Sequence, residues 1–412
     1  MINRRAMMEL AGSALAVGGS GLLSRAARAA EKSFLTEGLP QGVYDTATLE
    51  ALPGKKPLIK LSYRPPNYET PVSYFNSEFT ANDAFFVRYH LAGIPASIDA
   101  KTWKLKIGGE AAATPFEIGM DELQKNFEPV EIPAVLQCSG NRRGLSIPHV
   151  AGVEWGVGAM GNAVWKGARL KDILAKAGLK PEAIEIVFDG ADGPVLDKTP
   201  KFVKSIPVWK ALDENTLIAY AMNGQPLPHF NGFPARLVIP GWTGTYWMKH
   251  IVSLNAVTKP FDGFWMKSAY RIPAGKFAIV QDFLSQETLV NTPITEMVVN
   301  TLITTPDGSS ASVKPGQALV IKGIAWDAGY GINNVEVSTD GGQQWRPASL
   351  GQDYGRFAFR PWSFRFAERK PGGYTVLARA TNRIGQTQAA SLIFNPAGYH
   401  NNVPLPLTVN VA

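Results

Sequence analysis

The sequence has a single cysteine, Cys138, in 412 residues, and only five histidines. A lone thiol cannot form a disulfide within the chain, so we expect a fold that does not depend on disulfide crosslinks. The histidines, at positions 90, 149, 229, 250 and 400, are scattered, and neither a Cys-x-x-Cys-His nor a His-Pro-Gly-Gly haem motif is present. These absences exclude a cytochrome domain within the printed sequence.

Long runs of one charge and zinc-finger spacings are missing too. The formal net charge is +7, but basic and acidic residues are interspersed along the chain. We therefore do not expect a nucleic-acid-binding protein. A chain of this length with 45% hydrophobic residues is typical of two domains.

The first 30 residues have the composition of an export signal. Arg4 and Arg5 precede a Gly- and Ala-rich apolar stretch that ends at Leu23, and small residues around Ala29 offer a cleavage site. Paired arginines are typical of the twin-arginine route, which predicts export of the folded chain to the periplasm, with no membrane insertion of the mature chain. The alternative is an uncleaved anchor helix, but the stretch is shorter than the roughly 20 residues that a span needs.

The rest of the chain divides into three parts. Residues 31–75 are punctuated by proline and predict an extended arm rather than a packed element. Residues 76–290 mix short strands, long loops and a helix over 168–178, which indicates an α+β domain. Residues 291–412 carry short strands separated by glycine turns, which predicts an all-β, immunoglobulin-like sandwich.

Cys138 ends an apolar run and is followed by Ser139-Gly140-Asn141, a sequence typical of a turn. Arg142 and Arg143 come next, and a cysteine beside guanidinium groups is biased toward the thiolate that attacks electrophiles and binds metals. The alternative is a buried free cysteine that behaves as a small hydrophobic residue.

Residues 84–90 predict a strand whose two faces differ. Alternation places Phe86, Arg88 and His90 on one face and Phe85, Val87 and Tyr89 on the other. A cation and an imidazole side by side are unusual on a core strand. The alternative is an edge strand with this polar face in water.

A series of motifs in a fixed order then defines a resemblance. The motifs are FFVRYH, LQCSGNRRG, EWGVGA, ARLKDIL, YAMNGQPLP, GFPARLVIPGWTG and WMKHI. Together they resemble the sulfite oxidase family of molybdenum enzymes, from about residue 70 to the C-terminus.

The resemblance implies roles for individual residues. Cys138 is the implied thiolate ligand of a molybdenum that a pyranopterin also holds, one cofactor per chain. The implied catalytic residues are Arg88, Arg143, Trp155, Tyr270 and Arg360. The implied cofactor-binding residues are Tyr89, His90, Asp192, Asn231, Arg236, Trp247, Met248 and Lys249. Asn231 stands where animal members have a histidine.

The implied reaction is the oxidation of sulfite to sulfate. Because no haem motif is present, electrons would leave one at a time to a separate c-type cytochrome. The C-terminal domain commonly forms a homodimer contact in this family, although some bacterial members are monomers or pair with their cytochrome, and both alternatives stay open for this chain. Rival hypotheses are a sulfane dehydrogenase subunit of a thiosulfate-oxidising complex, a periplasmic methionine sulfoxide reductase, and a non-catalytic exported binding protein in which Cys138 is merely buried.

Overall fold

The computed structural model of the chain describes residues 33–273, 291–308 and 310–412. The predicted signal peptide, residues 1–30, and the predicted end of the α+β domain at residue 290 lie outside these ranges. Within them, no helix is both long enough and apolar enough to cross a membrane.

The strands of the N-terminal part are short and irregularly spaced. In chain order they are β1 (Thr48–Glu50), β2 (Leu58–Ser62), β3 (Asn67–Glu69), β4 (Val87–Arg88), β5 (Lys104–Gly108), β6 (Phe116–Gly119), β7 (Pro129–Gln137), β8 (Met160–Arg169), β9 (Glu185–Gly190), β10 (Val203–Pro207), β11 (Leu217–Met222), β12 (Gln225–Pro226), β13 (Arg236–Val238), β14 (Ile251–Val257) and β15 (Arg271–Pro273). The helices are α1 (Gln41–Thr46), α2 (Met120–Lys125), α3 (Leu170–Ala177), α4 (Val208–Ala211) and α5 (Phe264–Lys267).

Two mainly antiparallel sheets frame this part. One has the order β12-β11-β8-β7, with β13 also paired to β11, and the other has the order β10-β9-β14-β5-β6. The β7 and β8 strands pair from Pro129 opposite Ala168 to Gln137 opposite Met160. This register brings Cys138, the residue after β7, beside the residue before β8.

The predicted helix over 168–178 is found as α3. Leu170, Ile173, Leu174 and Ala177 are buried on one face, which for each fully buried leucine or isoleucine is worth about 1.5–3 kcal/mol. Gly178 ends the helix at φ 64°, a left-handed conformation that glycine adopts without a Cβ clash.

The expectation that residues 31–75 form an unpacked arm is wrong. Here β1, β2 and β3 pair in sequence and end on β4, and Leu58, Ile59 and Tyr68 are buried. The prolines do not interrupt pairing, because they stand just before β2 and in the turn between β2 and β3. Proline is tolerated at such positions, where no ladder hydrogen bond is lost.

The C-terminal part is the predicted all-β domain. Its strands are β16 (Asn291–Pro293), β17 (Asn300–Thr305), β18 (Ser310–Val313), β19 (Leu319–Trp326), β20 (Ile332–Ser338), β21 (Arg346–Pro347), β22 (Ser349–Leu350), β23 (Arg360–Phe366), β24 (Gly372–Asn382) and β25 (Leu407–Val411). Strand β16 pairs with β15; the others form sheets β17-β19-β23-β22 and β18-β25-β24-β20-β21. Side chains of both sheets, such as Ile321, Phe364, Val335 and Val409, share one core, so the domain is a β-sandwich.

The sandwich packs directly against β7, the strand that leads into Cys138. Val135 donates its N–H to the Phe357 carbonyl at 2.9 Å, and Trp326 donates its indole N–H to Gln137 Oε1 at 2.5 Å. Arg142 is fully buried and donates to the Thr301 carbonyl at 2.5 Å and the Val403 carbonyl at 3.0 Å. The overall architecture is thus α+β followed by a β-sandwich, as the sequence predicts.

Candidate active site

One pocket collects most of the predicted site residues. It has a volume of about 620 Å³, part of it open to solvent, and lies between β4, the turn after β7 and the loops that flank β13. The predicted residues that line it are Arg88, His90, Cys138, Asp192, Asn231, Arg236, Trp247, Met248, Lys249 and Tyr270.

The turn after β7 holds Cys138 at the pocket wall. The Cys138 N–H donates to the Ala159 carbonyl at 2.9 Å, and Asn141 Oδ1 accepts the Ala159 N–H at 3.0 Å, so the turn is tied to the start of β8. A Cβ at Gly140 would lie only 2.5 Å from the guanidinium of Arg143, so a larger residue there would displace that side chain. The result is a thiol that is 8% exposed and lines the pocket.

The strand around Arg88 presents the face that alternation predicts. Phe86, Arg88 and His90 all line the pocket, although the strand itself is limited to Val87–Arg88 by its short pairing with β3. The guanidinium of Arg88 donates to Asn67 Oδ1 at 3.2 Å and to the Tyr89 carbonyl. The framework therefore orients this cation, and the polar face is turned toward the pocket rather than toward open water.

His90 and Tyr270 form a hydrogen-bonded pair at the pocket wall. The Tyr270 hydroxyl shares a hydrogen bond with His90 Nε2, and the imidazole stacks on Phe202 at 3.7 Å between ring centroids. Burial and the nearby Arg88 hold the pKa of His90 well below its usual range, so the imidazole is neutral. Burial also raises the pKa of the Tyr270 phenol, which keeps its proton.

Two further residues of the pocket wall, Arg236 and Lys249, are cationic. Arg236 donates to the carbonyls of Asn231 and Trp247, both at 2.8 Å, and Lys249 donates to the Arg88 carbonyl at 2.5 Å. Burial lowers the pKa of Arg236 to about 9 and that of Lys249 to about 7, although the carboxylate of Asp192 favours the charged lysine. An anion bound here would restore the charged form of Lys249 and offset the cost of burying both cations.

Unpaired polar atoms in this wall fit an anionic, polar ligand. The atoms are Ser139 Oγ, Thr245 Oγ1 and Arg236 Nε, each of which is buried without a hydrogen-bond partner in the described part of the chain. Native proteins rarely leave such atoms unpaired, so a bound group is expected to satisfy them. A phosphate-bearing pterin has the charge and the acceptors for Arg236 and Lys249, and Cys138 can supply the thiolate that molybdenum favours.

Four of the predicted residues do not line the pocket. Arg143 donates to the Ala397 carbonyl at 2.7 Å and to the Val153 carbonyl at 3.0 Å, and its guanidinium lies 5.5 Å from the ring of Tyr399. Tyr399 in turn stacks on Tyr270 at 5.7 Å. Arg143 therefore lies behind the stacked rings of Tyr399 and Tyr270, and its direct contact with a substrate remains a prediction.

The other three lie further from the pocket surface. Tyr89 is fully buried behind the wall, where its hydroxyl shares a hydrogen bond of 2.7 Å with His250 Nε2. Trp155 is fully buried under the cysteine turn, and its indole N–H has no partner among the described residues. Arg360, on β23, pairs with Asp353 at 3.2 Å. The structure does not bring these three side chains to the pocket wall, so their predicted roles stay predictions.

Two buried lysines near the pocket are absent from the sequence-based predictions. Lys204 lies under Tyr270, with Nζ 5.0 Å from the ring centroid, and Lys55 contacts Asn231 from behind. Lys204 follows the apolar pair Phe202-Val203 and precedes Ser205-Ile206 at the start of β10, where the sequence gives only a weak sign of burial. Lys55 stands in the proline-punctuated segment, where the sequence gives no sign of burial.

The fold and this pocket define a class. Residues 90–265 match the family model described as an oxidoreductase molybdopterin binding domain, and residues 291–411 match the Mo-co oxidoreductase dimerisation domain. Together these matches cover the pocket and the sandwich. The chain is thus a molybdopterin-dependent oxidoreductase.

The most similar proteins narrow this class to a family. The mitochondrial sulfite oxidase of Macaca fascicularis is 36% identical over 330 residues, which cover 76% of this chain and 58% of that protein. The NADH nitrate reductase of Hordeum vulgare is 30% identical over 397 residues, which cover 89% of this chain and 42% of that protein. The chain therefore spans about half the length of these relatives, and it belongs to the sulfite oxidase family of molybdopterin enzymes.

A solved structure agrees with this assignment. A chain of the sulfane dehydrogenase SoxCD from Paracoccus pantotrophus superposes with a TM-score of 0.71 at 25% identity, covering 85% of this chain and 88% of that one. The likeness extends over both the pocket-bearing part and the sandwich.

Proposed function

We propose that this chain is a sulfite dehydrogenase, which oxidises sulfite to sulfate and passes the electrons to a separate c-type cytochrome. The observation that carries the proposal is the pocket wall on which Arg88, the neutral pair of His90 and Tyr270, and the only thiol of the chain come together. The sulfite oxidases among the relatives support sulfite as the substrate.

Cys138 would hold the molybdenum, and Arg236, Lys249 and Asn231 would hold the pterin that completes the cofactor. The bound molybdenum supplies the redox and oxygen-transfer chemistry. Arg88 binds the sulfite dianion with its fork of donors, and the buried surroundings strengthen that attraction. The conversion takes an oxygen atom from water and releases two protons and two electrons. The hydrogen bond between Tyr270 and His90 holds a proton beside the substrate and can pass it toward solvent.

The test is reduction of cytochrome c by the purified protein, with sulfite as the only electron donor and molybdenum measured on the same sample. We expect sulfite-dependent reduction that scales with molybdenum content. Cys138→Ser is the control, because a hydroxyl is a poor ligand for this metal; full turnover by that variant would remove Cys138 from the metal site. A molybdenum-loaded protein that ignores sulfite would contradict the proposal.

Sulfane sulfur is the second candidate substrate, and the likeness to the sulfane dehydrogenase structure favours it. One series of assays distinguishes the two candidate substrates. A sulfane dehydrogenase would leave free sulfite unoxidised and would reduce the cytochrome only when a protein-bound persulfide is supplied.

The cellular setting and assembly belong to the same proposal. The paired arginines at the N-terminus support export of the folded, loaded chain to the periplasm, and the dimerisation-domain match supports a homodimer through the sandwich. We expect the mature protein in the periplasmic fraction and a light-scattering mass of two chains. A monomer at micromolar concentration would contradict the dimer.

A further inference from the structure

Lys55 and Lys56 are adjacent, but their environments are opposite. Lys55 is 8% exposed, whereas the Lys56 side chain is 50% exposed and pairs with Asp83 at 3.3 Å. Lys55 belongs to the packed N-terminal segment and precedes the region that the molybdopterin family model matches, which begins at residue 90. It is therefore a buried cation that the family match does not assign to the site.

The three donors of the Lys55 ammonium are all used. Nζ donates to the Asn82 carbonyl at 2.7 Å, to the Phe85 carbonyl at 3.1 Å and to Asn231 Oδ1. Among the described residues, its one side-chain acceptor is thus Asn231, a residue of the pocket wall.

Asn231 connects this lysine to the rest of the wall. Its Nδ2 donates to the Phe86 carbonyl at 3.1 Å, and its own carbonyl accepts from Arg236 at 2.8 Å. Lys55 thus holds the side-chain amide that bonds Phe86, and it does so on the residue whose main-chain carbonyl bonds Arg236. Both Phe86 and Arg236 line the pocket.

The charge of Lys55 has little compensation in the folded chain. Burial lowers the pKa of Lys55 to about 7, and Asp83, the carboxylate that opposes this shift, is already paired with Lys56. A buried cation without its own carboxylate costs stability unless a nearby anion offsets the cost. The pocket on the far side of Asn231 is where such an anion would bind.

We propose that Lys55 is a cofactor-retaining residue, which holds Asn231 in place and adds a positive charge behind the wall that receives the anionic pterin. The N-terminal segment is then part of the cofactor site. The inference concerns retention of the cofactor and not the identity of the substrate.

The experiment compares Lys55→Met with Lys56→Met, which removes the same charge one residue away. Molybdenum and pterin per chain are measured after purification and again during dialysis. We expect Lys55→Met to lose molybdenum about tenfold faster than the wild type, the size of effect that supporting residues of metal sites show, and Lys56→Met to behave as the wild type. Lys55→Arg should retain more molybdenum than Lys55→Met, because it keeps the charge.

Equal retention by the wild type and Lys55→Met would overturn the inference. Should Lys55→Met fail to fold, Asn231→Ala provides a second route, because it leaves Lys55 in place and removes the side chain that links it to the pocket; normal retention by Asn231→Ala also overturns the inference. If the wild type does not oxidise sulfite but Lys55→Met still loses molybdenum faster than the wild type, the proposed function is contradicted and the inference about Lys55 is supported.

Discussion

Arg88→Gln is the most direct test of the proposed substrate site. Its guanidinium is held by Asn67 and the Tyr89 carbonyl, so Arg88→Gln removes a positioned charge without loosening the strand's backbone pairing. A hydrogen bond to a charged group is worth about 1.5–3 kcal/mol, which corresponds to a rise of about 10- to 150-fold in KM for sulfite, with a smaller change in kcat. Steady-state kinetics measure both constants. Arg365→Gln, on the surface of the sandwich, is the control, and an unchanged kcat/KM for Arg88→Gln would remove Arg88 from the substrate site.

Lys204 is expected to lower the stability of the folded chain, so its replacement should stabilise the protein. It is fully buried, donates to the Trp265 carbonyl at 2.6 Å, and has no carboxylate within 4 Å in the described ranges. Burial and Arg271 hold its pKa well below its usual range, so between that pKa and about 10.4 the unfolded chain binds more protons than the folded one. The free energy of unfolding therefore rises with pH across this window.

Lys204→Met should remove that dependence. We expect the variant to be about 1–4 kcal/mol more stable than the wild type at neutral pH, with the difference shrinking toward pH 10. Urea unfolding of both proteins across this pH range measures it. Lys210→Met is the matched control, because Lys210 is also buried but pairs with Asp213 at 2.9 Å, and its loss should destabilise the fold. A Lys204→Met protein that is less stable at every pH would contradict the argument.

At the scale of elements, Glu69 on β3 holds the segment that follows the cysteine turn. Its two carboxylate oxygens accept the N–H groups of Gly156 and Gly158 at 2.8 and 2.7 Å. Glu69→Gln has only one acceptor oxygen, so one N–H loses its partner. We expect a loss of about 1–3 kcal/mol in the free energy of unfolding, measured in urea. Glu117→Gln, at an exposed position of β6, should leave stability unchanged, and equal stability of the two variants would contradict the role of Glu69.

Elements with a clear period were predictable, and those defined by their partners were not. Helix α3 lies within a few residues of its predicted bounds, because it has an apolar pattern of its own. Strand β4 is shorter than its pattern, because only Asn67 and Tyr68 pair with it. The N-terminal strands were missed because prolines around them resemble an unpacked arm in the sequence.

The site residues divide in the same way, into those with a local sequence pattern and those placed by contacts distant in the chain. Phe86, Arg88 and His90 could be placed on one face from alternation, and the residues implied by the family resemblance mostly meet in one pocket. Lys55 and Asn231 lie 176 positions apart in the chain, and no local pattern records their contact. Arg143 could be marked as a site candidate from its neighbours, but its place behind Tyr399 depends on the C-terminal segment packing there.

For the whole molecule, Arg142 is a buried link between the two parts. Its guanidinium reaches the Thr301 and Val403 carbonyls, and its own carbonyl accepts from Asn401 at 3.1 Å. Arg142→Met should leave two buried carbonyls without partners and separate the unfolding of the sandwich from that of the pocket-bearing part.

Differential scanning calorimetry measures this separation. We expect a lower unfolding temperature and a broadened or divided transition for Arg142→Met, while Arg369→Met, on the exposed surface of the sandwich, matches the wild type. An Arg142→Met protein that unfolds like the wild type would show that the remaining contacts, such as the hydrogen bond between Val135 and Phe357, are enough to join the two parts.

The packing of the sandwich against β7 also determines when, during synthesis of the chain, the cysteine turn gains its partners. The strand that ends at Gln137 is contacted by Trp326 and Phe357, and the arginine after the cysteine turn is held by Val403. Synthesis reaches Trp326 189 residues after Gln137, and it reaches Val403 261 residues after Arg142. The turn therefore has all its partners only after the segment around Val403 has been made, so we expect stable insertion of the cofactor to follow synthesis of that segment.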